Sequence, residues 1–185
     1  MLYKLKWFLS AIILSIFLKK IGFPTYIAWP IFSCGLKRVT IGKRVRIFPG
    51  SRIETHGDGI IDIKDNVAIG QNFHITSGCN LIIGEGTLIT ANVVITNIDH
   101  DYSDIIIPIH CQQFILSDTI IGRNCFIGSG AIIQAGTVLG EHCIVGANAV
   151  VKGIFPPYSV IVGVPAKIVK CYNFESGSWI NSHHT

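Results

Sequence analysis

The stretch IGRNCFIGSGAIIQAGTVLGEHCIVGANAVV, residues 121–151, carries an aliphatic residue at every sixth position. The repeated positions are Ile121, Ile127, Ile133, Leu139, Val145 and Val151. A period of six matches neither the 3.6-residue period of an α-helix nor the two-residue alternation of an ordinary strand. Three such intervals make a unit of eighteen residues, which predicts a coil with three straight sides.

Earlier in the chain, three sets of aliphatic residues keep the same period. They are Ile41, Ile47 and Ile53, then Ile63, Ile69 and Ile75, then Ile83, Ile89 and Ile95. With the later stretch, they predict five coils, beginning at Ile41, Ile63, Ile83, Ile121 and Leu139. The first starts lie 22 and 20 residues apart, which indicates small insertions at corners. The step from Ile83 to Ile121 is 38 residues, so an excursion loop at about 99–118 leaves the coil.

Two further positions in each interval indicate how the coil is built. The fourth residue after each aliphatic is usually small, and alternating large and small side chains fill a narrow interior. The third residue is usually Gly, Asn or His, which tolerate a positive φ and suit a tight corner. These corner residues are Gly50, His56, Asn66, Asn72, Gly78, Gly86, Asn92, Asn124, Gly130, Gly136, His142 and Asn148. The sequence therefore predicts an all-β solenoid of about five triangular coils with one excursion loop.

The expected organisation is an apolar cap over residues 1–38, the solenoid over 39–166 and a tail over 167–185. The cap contains WFLSAIILSIFL, residues 7–18, and a second apolar run interrupted by Pro24 and Pro30, which we expect to be an irregular lead-in. As a helix the first run would rise about 18 Å, short of the roughly 30 Å of a bilayer core, so it does not span. It either covers the open end of the core, which apolar residues on all sides favour, or contacts a membrane surface.

Composition limits the classes of function. Apolar residues make up 49% and charged residues 14% of the 185, which excludes a disordered chain. The net charge of +4 is mild, and basic residues are not interleaved with aromatic ones, so no nucleic-acid partner is expected. The six cysteines show no CxxC pair or zinc spacing and indicate reduced thiols in a cytoplasmic protein.

The excursion begins within ITNIDHDYSD, residues 95–104. His100 is the first histidine that no core or corner role explains, and a loop anchored on rigid coils is a good place for a catalytic group. Asp99, Asp101 and Asp104 are candidate partners that would orient the imidazole and favour its charged form. The choice among these carboxylates stays open.

The other histidines are sorted by their place in the repeat. His74 points outward from a coil and is a candidate for lining a substrate groove, whereas His56 and His142 occupy corners and His183 and His184 lie in the tail. Three convergent ligands cannot be named, so no metal site is predicted.

The run from Ile121 to Val169, with its GVPAK segment, resembles the hexapeptide-repeat acyltransferases. The resemblance implies a left-handed parallel β-helix, acetyl-CoA as co-substrate, and a homotrimer that binds it in grooves between neighbouring β-helices. In the excursion, the pattern H-x-Y-x-D at His100, Tyr102 and Asp104, followed by PIxxQ from Pro108, is similar to sugar acetyltransferases of surface-polysaccharide pathways.

The resemblance also implies roles by position. His100 would be the general base, and Tyr102 and Asp104 of the H-x-Y-x-D pattern would bind substrate. Asp99 and Asp101 as orienters and His74 as a substrate contact remain expectations from the residues themselves. The implied cofactor contacts are Ser129, Gly130, Ala147, Lys152, Lys167 and Lys170. Many relatives carry Thr-Lys where Lys152 and Gly153 stand, so the adenosine end is expected to be held differently.

The expected reaction is direct transfer of an acetyl group from acetyl-CoA to a sugar, nucleotide-linked or part of a glycan, in O-antigen or capsule-type synthesis. Removal of a proton from a hydroxyl or an amine is needed in either case, so O- and N-acetylation are not separated. Two alternatives remain: a noncatalytic solenoid scaffold and a metal-dependent hydratase on the same fold. The expected location is the cytoplasm, with possible contact of the N-terminal segment at the inner face of the membrane.

Overall fold

The structure, a computed structural model, describes residues 2–182. Each complete coil contributes one short strand to each of three sheets, and the coil strands within a sheet run parallel. His183 and His184 therefore lie outside the described residues. The first sheet contains β1 (Lys20–Ile21), β4 (Val39–Ile41), β7 (Ile60–Ile63), β10 (Asn80–Ile83), β15 (Thr119–Ile121), β18 (Val138–Leu139) and β21 (Ile154–Phe155). The second contains β2 (Tyr26–Ile27), β5 (Arg46–Ile47), β8 (Ala68–Ile69), β11 (Leu88–Ile89), β16 (Phe126–Ile127), β19 (Ile144–Val145), β22 (Ser159–Gly163), β23 (Ala166–Asn173) and β24 (Ser178–Asn181). The third contains β3 (Phe32–Cys34), β6 (Arg52–Thr55), β9 (His74–Ser77), β12 (Val94–Thr96), β17 (Ile132–Ile133) and β20 (Val150–Val151).

The architecture is the left-handed parallel β-helix that the resemblance implies, but it has about seven coils rather than five. The extra first coil lies within the predicted cap segment, where Ile21 and Ile27 already follow the six-residue period. Pro24 and Pro30 fall at its corners, between strands, so they do not interrupt it. The last coil is incomplete and contains Phe155 and Ile161, which stack on Leu139 and Val145.

The interior and the corners agree closely with the repeat. The aliphatic residues of the period are at most 2% exposed, and ten of the twelve predicted corner residues have a positive φ. The exceptions are His56 and Gly78, which lie where the coils are longer than eighteen residues. Cys125 and Cys143 are buried in adjacent coils, and contact between the two thiols together with burial raises the pKa of Cys125. Both cysteines therefore act as core side chains.

An N-terminal helix, α1 (Leu2–Leu14), covers the first coil. Ala11, Leu14 and the following Leu18 join the hydrophobic core, and the Trp7 ring packs edge-on against Phe48 at 5.0 Å. One face of the helix thus contributes side chains to the core at this end of the solenoid. Between residues 2 and 182 no helix is long and apolar enough to cross a bilayer.

The excursion is a short antiparallel ladder of β13 (Ile98–His100) and β14 (Phe114–Leu116), joined by a loop with a 3₁₀ turn at Ile109–Cys111. A second 3₁₀ turn spans Leu36–Arg38. At the other end of the chain, part of the predicted tail is regular, because β23 pairs antiparallel with β22 and β24.

Candidate active site

The outer face of the third sheet carries a patch of polar side chains where β6, β9 and β12 stack. Successive side chains of a strand point to opposite faces, so every second residue of these strands points outward. The parallel register places Arg52 beside His74, and Glu54 beside Thr76. Thr96 follows Thr76 on the next strand. The fold therefore gathers on one surface residues that are about twenty positions apart in sequence.

Glu54 is the centre of this patch, and its side chain is only 10% exposed. Arg52 donates to Glu54 Oε1 from Nε at 3.1 Å and from Nη2 at 2.9 Å. His74 Nε2 lies 3.1 Å from the same oxygen, and His56 Nε2 lies 3.6 Å from Oε2. A buried carboxylate is costly without partners, so these three groups explain why Glu54 is tolerated there. His56, assigned to a corner from the sequence, instead contacts this carboxylate, and Gly57 takes the positive φ.

The ring of His74 is held by two neighbours. Its Nε2 contacts Glu54 Oε1 and lies 2.9 Å from Thr76 Oγ1. An ionised carboxylate only accepts hydrogen bonds, so the contact with Glu54 favours the tautomer with the proton on Nε2. The lone pair then resides on Nδ1, where it can accept a hydrogen bond from a ligand.

His100 lies on β13 at the base of the excursion and faces the same patch. Its ring packs edge-on against Phe114, with 4.9 Å between ring centroids and an interplanar angle of 71°. Between the scaffold and the excursion is an open groove of about 360 Å³. The groove is lined by His56, His74, Thr76, Val94, Thr96, Ile98, His100 and Phe114. Tyr102, predicted to bind substrate, is 71% exposed beyond the groove.

Asp99 is bound to groups other than the imidazole of His100. Its Oδ1 accepts the backbone N–H of His100 at 2.9 Å, and its Oδ2 accepts from Lys152 Nζ at 3.2 Å. These two bonds, the backbone one first, hold the pKa of Asp99 below its usual value. Asp99 therefore fixes the backbone at the start of the excursion and ties it to the scaffold through Lys152.

Asp101 and Asp104 likewise bond to the backbone of the excursion. Asp101 Oδ1 accepts the amide of Ser103 at 2.9 Å, which lowers its pKa, and Asp104 Oδ1 accepts the amide of Ile106 at 2.8 Å. Gln112 Nε2 donates to the carbonyl of Asp104 at 2.8 Å and closes the loop. Within residues 2–182, none of the three predicted orienters bonds the His100 ring. They shape the loop, and Phe114 positions the imidazole.

The predicted cofactor residues lie in three different places. Ser129 and Gly130 form the corner between β16 and β17, and Ala147 lies at the equivalent corner of the next coil, where the Ser129 carbonyl accepts the amide of Asn148 at 2.9 Å. Lys152 reaches Asp99 at the base of the excursion. Lys167 and Lys170 lie on β23, opposite Val162 and Val160. The third side of the triangular coil therefore lies between the Ser129 corner and the excursion that carries His100.

Across residues 2–182, no group of three or more His, Cys, Asp or Glu side chains is arranged to hold a metal ion. The missed residues of the site are Arg52, Glu54 and the pairing of Glu54 with His74. The repeat contained a signal that Arg52 and His74 are neighbours. Each precedes an in-phase isoleucine, Ile53 or Ile75, so the two side chains stack on adjacent coils.

Comparison with known proteins identifies relatives that match most of the chain. Residues 118–153 match the family model described as bacterial transferase hexapeptide (six repeats). The chain is 35% identical over 158 residues to the putative lipopolysaccharide biosynthesis O-acetyl transferase WbbJ of Escherichia coli K12, covering 80% of this chain and 81% of that protein. It is 36% identical over 135 residues to the probable acetyltransferase Rv3034c of Mycobacterium tuberculosis, covering 73% of this chain and 45% of that one.

Among solved structures, the fold is similar to that of a mutant of AntD, an N-acyltransferase from Bacillus cereus, in complex with dTDP-4-amino-4,6-dideoxyglucose and coenzyme A. The TM-score is 0.77 at 19% sequence identity, with 90% of this chain and 91% of that chain covered. At this identity the likeness concerns the fold alone.

Proposed function

The chain belongs to the hexapeptide-repeat acyltransferases, and on that premise we propose that it transfers an acetyl group from acetyl-CoA to a hydroxyl or amino group of a sugar. The observation that carries the proposal is the groove in which His100 of the excursion faces His74 and two threonines of the scaffold. It combines a base with hydroxyl and imidazole groups suited to binding a polyhydroxylated acceptor.

A sugar acceptor and a CoA donor have support from the relatives. WbbJ is named as an O-acetyl transferase of lipopolysaccharide biosynthesis, and the AntD complex contains a nucleotide-linked amino sugar with coenzyme A. The acceptor proposed here is accordingly a nucleotide-linked sugar or a glycan of the surface-polysaccharide type. The six cysteines are free thiols, which supports a cytoplasmic location where acetyl-CoA is present.

His100 is the general base of the proposed reaction. The acceptor oxygen or nitrogen attacks the thioester carbonyl of acetyl-CoA while His100 takes its proton. The carbon–sulfur bond then breaks, and the proton passes to the departing sulfur to give acetylated sugar and free CoA. Proton transfer of this kind contributes about 10²–10⁴ in rate.

His74 is proposed to bind the acceptor, and Glu54 positions it. With its Nε2 held by Glu54, the Nδ1 lone pair of His74 can accept from a sugar hydroxyl, and Thr76 and Thr96 offer further hydroxyls along the groove. Tyr102 and Asp104 are proposed to contact a larger acceptor beyond the groove, because they lie farther along the excursion.

The proposed CoA site uses Ser129, Gly130, Ala147, Lys152, Lys167 and Lys170, with Lys167 and Lys170 near the phosphates. Because the third side of the coil lies between the Ser129 corner and the excursion that carries His100, a homotrimer is proposed in which the corner of one copy faces the excursion of the next. The cofactor would then lie between neighbouring solenoids.

The test is incubation of the full chain with acetyl-CoA and a panel of nucleotide-linked sugars and glycans, followed by mass spectrometry. A product heavier by one acetyl group, formed together with free CoA, is the expected result. Acetyl-CoA alone at 100 times its dissociation constant should stabilise the fold by about 2.7 kcal/mol. Absence of both effects would leave the noncatalytic scaffold as the better explanation, and bound zinc in the purified protein would favour a metal-dependent hydratase.

A further inference from the structure

The N-terminal helix has two apolar faces: one packs against the core of the solenoid, and the other is exposed. Ala11 and Leu14 point into the core, with Leu18 just beyond the helix. The opposite face, which we call the outer face, continues through the turn after the helix. Its members are Leu5, Leu9, Ile12, Ile13 and Ile16, exposed by between 43% and 76%. Contiguous exposed apolar side chains on this scale indicate a contact surface.

A tryptophan extends this surface. Trp29, from the corner between β2 and β3, is 57% exposed and borders a shallow groove of about 440 Å³ with Leu5, Leu9 and Ile13. Tryptophan combines an apolar ring with a polar N–H, so it is suited to the boundary between water and an apolar phase.

The helix and the first part of the solenoid come from a stretch of sequence whose charges have one sign. No acidic residue occurs before Glu54, although ten of the 15 basic residues do. They are Lys4, Lys6, Lys19, Lys20, Lys37, Arg38, Lys43, Arg44, Arg46 and Arg52. Arg52 is set apart because it pairs with Glu54 of the candidate site, Arg38 lies 4.0 Å from Asp58, and Lys20 and Lys43 share a cleft with Asp62 and Asp65. All eleven acidic residues lie from Glu54 onward, with the other five basic ones. Lys4, Arg44 and Arg46 line one cleft beside the helix, and Lys19 and Lys20 come after the turn that follows it.

We propose that the outer face and the surrounding basic residues bind the surface of an anionic phospholipid membrane. The helix would lie in the plane of the membrane, with its outer face among the acyl chains near the headgroups and its lysines against lipid phosphates. A helix of 13 residues is too short to span, in agreement with this orientation.

The charge pattern favours lipid over a second copy of the chain. A self-association through the outer face would bring together two or three copies of the same helix, whose charged residues, Lys4 and Lys6, are both basic. Like charges at such short distances oppose association, whereas an anionic surface attracts them. This inference is independent of the proposed reaction, because it involves no residue of the groove.

The experiment is co-sedimentation of the full chain with vesicles of phosphatidylglycerol and phosphatidylethanolamine, compared with vesicles of phosphatidylcholine alone. Binding to the anionic vesicles is expected to be at least about tenfold tighter and to weaken as salt is raised. The double variant Leu9→Ser and Ile13→Ser should lower binding about tenfold or more, because two apolar side chains no longer enter the membrane.

Two controls separate a loss of membrane contact from a general effect of the substitutions. Ile154→Ser makes the same chemical change at an isoleucine that is 80% exposed on β21, and it should bind like the unmodified chain. Thermal unfolding should be nearly unchanged in all variants, because the substituted side chains are exposed. Equal binding to both vesicle types, or no binding together with a smaller oligomer for the Leu9/Ile13 variant in light scattering, would overturn the proposal.

Discussion

The N-terminal helix and the excursion both depart from the six-residue repeat, and both expose apolar side chains, yet they are attached in different ways. The helix buries one face in the core through Ala11 and Leu14. In the excursion the three residues of β14 are all exposed, and Ile105 is 97% exposed. The loop is instead held by hydrogen bonds of Asp99, Asp104 and Gln112. The helix therefore contributes to the core of the scaffold, whereas the excursion, which carries the proposed base His100, contributes little to it.

The largest effect should come from the excursion. His100→Ala is expected to lower the rate of acetyl transfer by about 10²–10⁴, because the base is lost. The free energy of unfolding should change by less than about 0.5 kcal/mol, since the side chain is exposed. Steady-state kinetics and urea unfolding measure both quantities. His142→Asn, at a corner where Asn is equally suited, is the matched control and should leave the rate unchanged. A rate within threefold of the unmodified chain for His100→Ala would contradict its role.

The helix should show the opposite behaviour. Leu14→Ala removes a side chain that is 3% exposed and is expected to cost about 2–5 kcal/mol of unfolding free energy. The rate per folded molecule should stay the same, because the helix contributes nothing to the groove. Ile12→Ala, on the outer face, is the control and should cost under about 1 kcal/mol. Equal losses of stability for the two variants would show that the inner face does not contribute to the core.

An intermediate effect is expected on the scaffold side of the groove. Glu54→Gln removes the charge that faces Arg52 and His74, and it should cost about 1–3 kcal/mol of stability. Because His74 loses its fixed tautomer, the KM for the acceptor should rise more than kcat falls. Glu141→Gln breaks a comparable contact with Arg123 and Tyr158, away from the groove, and should leave the KM unaltered. Unchanged acceptor KM in Glu54→Gln would limit Glu54 to a structural role.

The smallest effect should come from the tie between excursion and scaffold. Asp99→Asn weakens an exposed pair with Lys152, so the expected loss is under about 1 kcal/mol at pH 7. The pKa of Asp99 is lowered in the folded state, so its contribution is present above the unfolded pKa of about 3.9 and is lost as pH falls through the folded value. The unmodified protein and the Asp99→Asn variant should therefore differ in free energy of unfolding at pH 7. This difference should disappear in stronger acid. A difference that grows in acid would reverse this assignment.

Most of the scaffold could be predicted because one physical constraint, a narrow triangular interior, repeats at fixed spacing. Asn66, Asn148 and Gly130 have the positive φ expected of corners. The first coil was missed because Pro24 and Pro30 resemble interruptions when strands are not yet placed. Arg44 also adopts a positive φ of 56°, which its residue type does not signal.

The site was only partly predictable, for reasons of geometry. His74 and His100 were singled out because neither has a core or corner role, and the structure places both along one groove. Glu54 was missed because the first coils are 22 and 20 residues long rather than eighteen. The spacing of Glu54 and His74 in sequence therefore does not reveal that they are in contact. The partners of Asp99 and Asp101 could not be foreseen, because they are backbone amides whose positions depend on the hairpin.

The coil resumes after the excursion in the same register as the coil before it. Leu81 pairs with Thr119 and Ile83 with Ile121, although 38 residues separate each pair in sequence. The entropy of closing a flexible loop grows only slowly with its length, by about 0.6 kcal/mol for each doubling. Insertions and deletions between Ile98 and Leu116 should therefore be tolerated by the rest of the molecule. If the excursion binds the acceptor as proposed, exchange of this one loop changes the acceptor while the scaffold and its core residues stay the same.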